Sequence, residues 1–166
     1  MAESLVMEDR LTHRIDHSPL FSHDGIHDSQ THLAAASFFY EQLRREIALS
    51  QRSSIHFSVI KIIFSRLSEN GIRPEIGAED ILHFSYELQT LTRSEDCIGR
   101  LGINECVILI SDGHSAAERL ITRLLHAQSL SVNKTLQISI SMVTSVSGES
   151  GLALMNRLDR EPLSTH

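Results

Sequence analysis

At 166 residues and 41% apolar content, the chain suits one domain with a full hydrophobic core and a tail. Its net charge of −6, with Lys and Arg scattered, excludes a general nucleic-acid binder, which needs a basic stripe. No apolar run approaches the ~18–20 residues of a membrane span, so no membrane role is expected.

Trp is absent and aromatics are few, so the core must rest on Ile, Leu, Val and Ala. Two cysteines without a CxxC spacing read as free thiols in a reducing compartment. The N-terminus has no basic region followed by an apolar one, so no signal peptide is expected and the domain reads as cytoplasmic.

Residues 1–27 are polar, carry His13, His17, His23 and His27, and show no sustained periodicity; they read as a tail or an extra helix. From Thr31 the spacing of Leu33, Ala36, Phe39, Tyr40, Leu43 and Ile47 predicts a helix, broken over Ser50–Ser54. Phe57–Phe64 is β-branched and nearly all apolar, as in a central strand covered on both faces. Residues 65–77 hold two glycines and Pro74 and read as a short helical turn and loop. Ile81, Phe84, Leu88 and Leu91 mark a second amphipathic helix. Cys97–Leu101 and Cys106–Ile110 read as strands joined by a tight turn. Ser115-Ala-Ala-Glu118 has the form of a capping box opening a third helix. Leu136, Ile138, Ile140 and Met142 alternate with polar residues, the half-buried strand pattern, and a last helix is expected over Gly151–Asp159. The order α-β-α-β-β-α-β-α, strands separated by helices with one hairpin in the middle, predicts an α+β fold, a ferredoxin-like sheet with helices on one or both faces.

Several partial motifs lie in register. Asp28, Thr31, Leu33 and Phe39 keep the spacing of the pattern DxLTGLxNRxxF, and Arg93, Asp96, Arg100, Gly102 and Glu105 match RxxDxxxRxGGDEF without a gap. Gly77 lies 16 residues before Arg93, and Ser139-Ile140-Ser141 is similar to an SIG strand. On these residues the chain resembles the GGDEF domain of diguanylate cyclases over about residues 28–160, with 1–27 and 161–166 as tails. The resemblance implies a nucleotide-cyclase-type antiparallel central sheet flanked by helices, in a bacterial second-messenger module built around cyclic di-GMP.

What the resemblance implies for catalysis is a loss. Such cyclases join two GTP molecules with two Mg2+ ions, held by first-strand carboxylates and by the signature turn. Mg2+ needs several hard oxygen ligands. The first-strand aspartates align with Lys61 and Ile63, and no Asp or Glu occurs from Ser54 to Ser68. The signature reads Gly102-Ile103-Asn104-Glu105-Cys106: Ile103 puts a Cβ where backbone should approach phosphate, Asn104 replaces an acidic ligand, and Glu105 alone is kept. The family's guanine-reading Asn and Asp align with Glu69 and Ala78. No catalytic residue and no metal or other cofactor are therefore expected, Mg2+ entering only if the chain is a divergent cyclase.

The family's inhibitory site is an RxxD that holds cyclic di-GMP, and Arg93 and Asp96 sit at its spacing. A guanidinium can grip a phosphate or a guanine acceptor edge bidentately, and a carboxylate can accept from guanine N–H groups. A second arginine, which such sites usually recruit, is not identifiable in the sequence. The bland reading of the pair is a surface ion pair.

For Arg100 the expectation is a solvated strand arginine, for Lys61 a head at a strand end, and for Glu105 a hairpin charge. The spacing His23-Asp24-x-x-His27-Asp28 and the His13/His17 pair raise zinc, against a solvated tail. Cys97 and Cys106 read as small buried hydrophobes. No G-x-S-x-G is present, and Ser111-Asp-Gly-His-Ser115 reads as a loop leading to a helix cap. The expected function is a non-catalytic module that binds cyclic di-GMP through Arg93 and Asp96 or regulates a signalling partner or homodimer. The alternative is a divergent diguanylate cyclase.

Overall fold

The longest β-branched run of the chain becomes the middle of its sheet. In the computed structural model, which describes residues 18–127, 130 and 135–165, the elements are α1 (Ala36–Ser53), β1 (Ser58–Arg66), α2 (Ala78–Leu91), β2 (Cys97–Gly102), β3 (Glu105–Ile110), α3 (His114–His126), β4 (Leu136–Thr144), α4 (Gly151–Arg160) and β5 (Ser164–Thr165). The sheet order is β2-β3-β1-β4-β5 and every pairing is antiparallel. This is the α+β architecture expected, with the two-residue β5 added at one edge.

Helices cover both faces, which is why β1 lacks the alternation of a half-buried strand. On one face Ile60, Ile62 and Phe64 of β1 pack with Ile81, Phe84 and Leu88 of α2 and with Leu120 and Leu124 of α3. The Phe64 and Phe84 rings stack at 4.0 Å. On the other face Val59, Val107 and Val143 meet Phe39 and Leu43 of α1 and Leu154 and Leu158 of α4. Each such side chain contributes about 1.5–3 kcal/mol by burial. Lys61 and Glu105 belong to this second face, because Lys61 is two residues from Ile63, the partner of Glu105 across β1 and β3. No helix among the described residues is long and apolar enough to cross a membrane.

The first helix runs through most of the expected break to Ser53, where Ser54 ends it in the left-handed region. Three further boundaries differ from expectation, each for a local reason. The first helix starts at Ala36 and not Thr31. The Asp28 carboxylate accepts from the Thr31 N–H and hydroxyl, both at 2.7 Å, and this side-chain turn outcompetes helix. Ala34 then runs beside β2, donating to Ile98 O and accepting from Arg100 N–H, each at 2.9 Å. The third helix starts one residue before the expected capping box, and its N-cap is Gly113 with no side-chain cap. Gly113 has φ +86° and an added Cβ would lie 3.1 Å from His56 O, so glycine is required there. The central strand reaches Arg66, whose guanidinium binds Asp80 at 2.9 and 3.3 Å; Asp80 also accepts from the Gly77 N–H and so fixes the start of α2.

Of the expected N-terminal tail, residues 1–17 lie outside the described residues. Within 18–27, Leu20 and Phe21 pack against Arg100.

Candidate functional site

Two ends of the sheet carry the residues singled out by sequence. At the first, Gly102 pairs with Glu105 around an Ile103–Asn104 turn. The Asn104 side-chain amide donates to Phe64 O at 2.8 Å and the Asn104 backbone carbonyl accepts from the Phe64 N–H at 3.1 Å, so side chain and backbone together fasten the turn to β1. Ile103 is exposed.

Arg100 supports the turn from beneath, and the solvated role expected for it is wrong. It is 1% exposed, beside Asp28 at 1%. Nη1 reaches the Asp28 carboxylate at 3.0 and 3.1 Å, Leu20 O at 2.7 Å and Gln30 Oε1 at 3.2 Å. Nε and Nη2 donate to Gly102 O and Ile103 O at 3.1 and 3.0 Å. The Phe21 ring lies 5.3 Å from the guanidinium carbon. Covered by residues 18–35, this edge of the sheet is an interior.

Lys61 also departs from expectation, being buried at mid-strand and not placed at a strand end. Its Nζ donates to Asp159 Oδ1 of α4 at 3.0 Å. Burial pushes the Glu105 carboxyl up, while the Lys61 charge pulls it down and Asp159 pushes it up. The Tyr40 phenol is raised by burial and then by Asp159 and Glu105. These four groups therefore share one field. No group of three or more His, Cys, Asp or Glu able to hold a metal ion occurs among the described residues. Asp24, of the proposed histidine site, accepts from the backbone N–H groups of Ile26 and His27, which hold its carboxyl below the usual range. His13 and His17 lie outside the described residues. Burial pushes the Cys97 thiol to about 11 and Cys106 to about 12, which makes both poor nucleophiles.

At the opposite end lies the turn from α2 into β2. Asp96 accepts from the Arg93 backbone N–H at 3.1 Å, and the Asp96 N–H donates back to Arg93 O at 3.2 Å. The two side chains do not pair. The Arg93 guanidinium instead binds Asp112, in the loop after β3, at 2.7 Å. Burial raises the Asp96 carboxyl, against the lowering effect of the Arg93 N–H.

Arg93, Asp96 and Asp112 line a cavity of about 160 Å3 with Ile110 and with Arg119 and Arg123 of α3. The two α3 arginines are one helical turn apart on one face, and neither makes an ion pair among the described residues. Sequence reading missed both. Their i, i+4 spacing was visible, but only the packing of α3 places both along the cavity that Arg93 lines. A larger cleft of about 560 Å3 opens on the other side of the same turn, against Leu33 and Phe38.

The chain matches the family described as "Diguanylate cyclase, GGDEF domain" over residues 25–162. No curated protein matches it. Among solved structures it is similar to the diguanylate cyclase SiaD of Pseudomonas aeruginosa, solved with its activator SiaC, with TM-score 0.69 and 19% identity over 81% of this chain and 55% of that one. It therefore spans about half the length of that protein. The GGDEF domain of DgcB from Caulobacter crescentus, in complex with c-di-GMP, gives TM-score 0.66 and 16% identity over 84% of this chain and 89% of that one. The GGDEF domain of PA1120 (TpbB or YfiN) from Pseudomonas aeruginosa gives 0.65 and 21% over 80% and 84%. At such identities the likeness speaks for the fold.

Proposed function

Because the chain belongs to the diguanylate cyclase GGDEF domain family, which its match over residues 25–162 establishes, we propose that it is a catalytically inactive, cytoplasmic member that binds cyclic di-GMP and passes the bound state to a signalling partner. Three arginines that line one cavity, Arg93, Arg119 and Arg123, carry this reading. Cyclic di-GMP has two phosphodiesters and two guanine edges. Arginine forks suit both, and the Asp96 carboxylate beside them can accept from a guanine N–H. Binding exchanges the Asp112 carboxylate on Arg93 for a ligand group of the same charge. The c-di-GMP in the related DgcB structure and the SiaC activator on SiaD support a ligand and a protein partner as classes.

The second reading, a divergent cyclase using Mg2+ and GTP, rests on Glu105, a half-buried carboxylate with a raised pKa. The rest of the donor set does not fit Mg2+. The neighbouring strand presents the Lys61 ammonium, Asp159 already accepts from it, and the Asn104 amide is bound to a backbone carbonyl. No cyclic di-GMP is expected from GTP with Mg2+ or Mn2+, and product that disappears in Glu105→Gln would reinstate the cyclase.

Calorimetry with cyclic di-GMP tests the ligand site. Arg93→Ala is expected to abolish measurable binding, and Arg119→Ala or Arg123→Ala to weaken it by about tenfold or more, the value of a charge-assisted hydrogen bond. Asp112→Asn is expected to tighten binding by up to about fivefold, since an exposed ion pair is worth at most about 1 kcal/mol. No heat with the wild type would leave only the partner role.

The acceptor role of Asp96 needs its ionised form. Because burial raises that carboxyl above the ordinary 3.8, affinity is expected to fall as pH drops through the raised value, starting above 3.8. In Asp96→Asn this acid limb should vanish.

A further inference from the structure

We propose that Lys61 is a built-in cation, its ammonium taking the electrostatic place of a divalent metal ion at the hairpin end of the sheet and fastening α4 to β1. The proposal rests on the non-catalytic half of the reading above and is independent of the cyclic di-GMP cavity. Lys61 sits in the central strand, paired with Val107 on one side and Ser141 on the other, so its backbone cannot move without opening the sheet. Its side chain is 9% exposed, and a buried ammonium is tolerated only when carboxylates or other acceptors surround it.

Two carboxylates provide that surrounding. Asp159, in the last turn of α4, accepts at 3.0 Å, and Glu105 on β3 lies within the field of the ammonium. Tyr40 of α1 adds an uncharged phenol to the same field. An ammonium has three donors and Asp159 uses one. Directly across the strand pair, on the same face, the Ser141 hydroxyl is the buried side-chain oxygen without a hydrogen-bond partner among the described residues. Nζ makes no hydrogen bond to it in this structure, so it is an acceptor on this face that the ammonium leaves unused. One positive charge thus faces Glu105 and Asp159 where a metal would need both of them, and an incoming divalent ion would meet the ammonium first.

Mn2+ alone, followed by its EPR signal, is the probe. The wild type and Glu105→Gln are expected to bind it indistinguishably, at scattered surface sites only. Lys61→Asp places a third carboxylate beside Glu105 and Asp159, and should gain a saturable site at least tenfold tighter than any in the wild type. Adding Glu105→Gln to that variant should remove it. A wild-type site lost in Glu105→Gln would overturn the proposal, as would a folded Lys61→Asp protein with no new site. If Lys61→Asp does not fold, Lys61→Met keeps the stem and removes the charge. Amide exchange over residues 151–160 should then accelerate at least tenfold with the sheet still protected, and unchanged exchange would sink the tether. Cyclic di-GMP made by the wild type would overturn the non-catalytic reading itself. Metal bound through Glu105 without product would overturn only the role of Lys61.

Discussion

Arg100→Ala is expected to lower the unfolding free energy by about 3–5 kcal/mol, the usual result of removing one partner of a buried ion pair. The guanidinium and the Asp28 carboxylate are both 1% exposed, and the arginine also serves the carbonyls of Leu20, Gly102 and Ile103. Truncation leaves a buried charge unpaired and three carbonyls without this donor. For a domain of this size the melting temperature should drop by roughly 10 °C. Lysine is no substitute, because one ammonium cannot span acceptors on the segment before α1, on Asp28 and on the hairpin turn. Arg100→Lys should therefore recover less than half of the loss. Urea unfolding at constant m-value measures both, and a loss below about 1 kcal/mol for Arg100→Ala would mean that the network is not formed in solution.

Arg100 also marks where sequence reading stops. The fold was legible because period and composition agree along the elements: the β-branched, nearly all-apolar run of Phe57–Phe64 reads as a strand covered on both faces, and Leu136–Met142 alternates as a half-buried one should. The setting of Arg100 was not legible, since a lone arginine in a short strand near a turn is ordinarily at the surface. What buries it is the segment before α1, residues 18–35, most of it without sustained periodicity and held by side-chain turns at Asp24 and Asp28. Such local hydrogen bonding erases the pattern from which helices and strands are read.

The candidate ligand site divides in the same way. The spacing of Arg93 and Asp96 was plain, yet a short aspartate three residues on satisfies its own turn first and accepts from the Arg93 backbone. That frees the guanidinium for Asp112, 19 residues away. Arg119 and Arg123 belong to no motif, and although both stay exposed on α3, only its packing sets them along the cavity that Arg93 lines.

Gly99→Ala is the second substitution expected to be severe, and it tests how closely α1 lies on β2. A Cβ at position 99 would stand 2.9 Å from Cβ, Cγ and Cδ2 of Phe39, which is fully buried. The nearest atoms include the one bonded to the helix backbone, so no rotamer change of Phe39 removes the overlap. Either α1 or β2 must shift, and on both flanks a shift is resisted. Gly99 pairs with Val107 on β3 and bridges to Ala34, and its neighbour Arg100 is locked to Asp28. Overpacking in a closed site costs about 1–3 kcal/mol, and the upper end is expected here. Phe39→Ala alone should cost about 3–5 kcal/mol through lost burial and the cavity left behind. In the double variant the ring is gone but the Cβ overlap remains, so the two losses should fall short of their sum by about 1 kcal/mol. Strict additivity would mean that the new methyl group finds room without the helix moving.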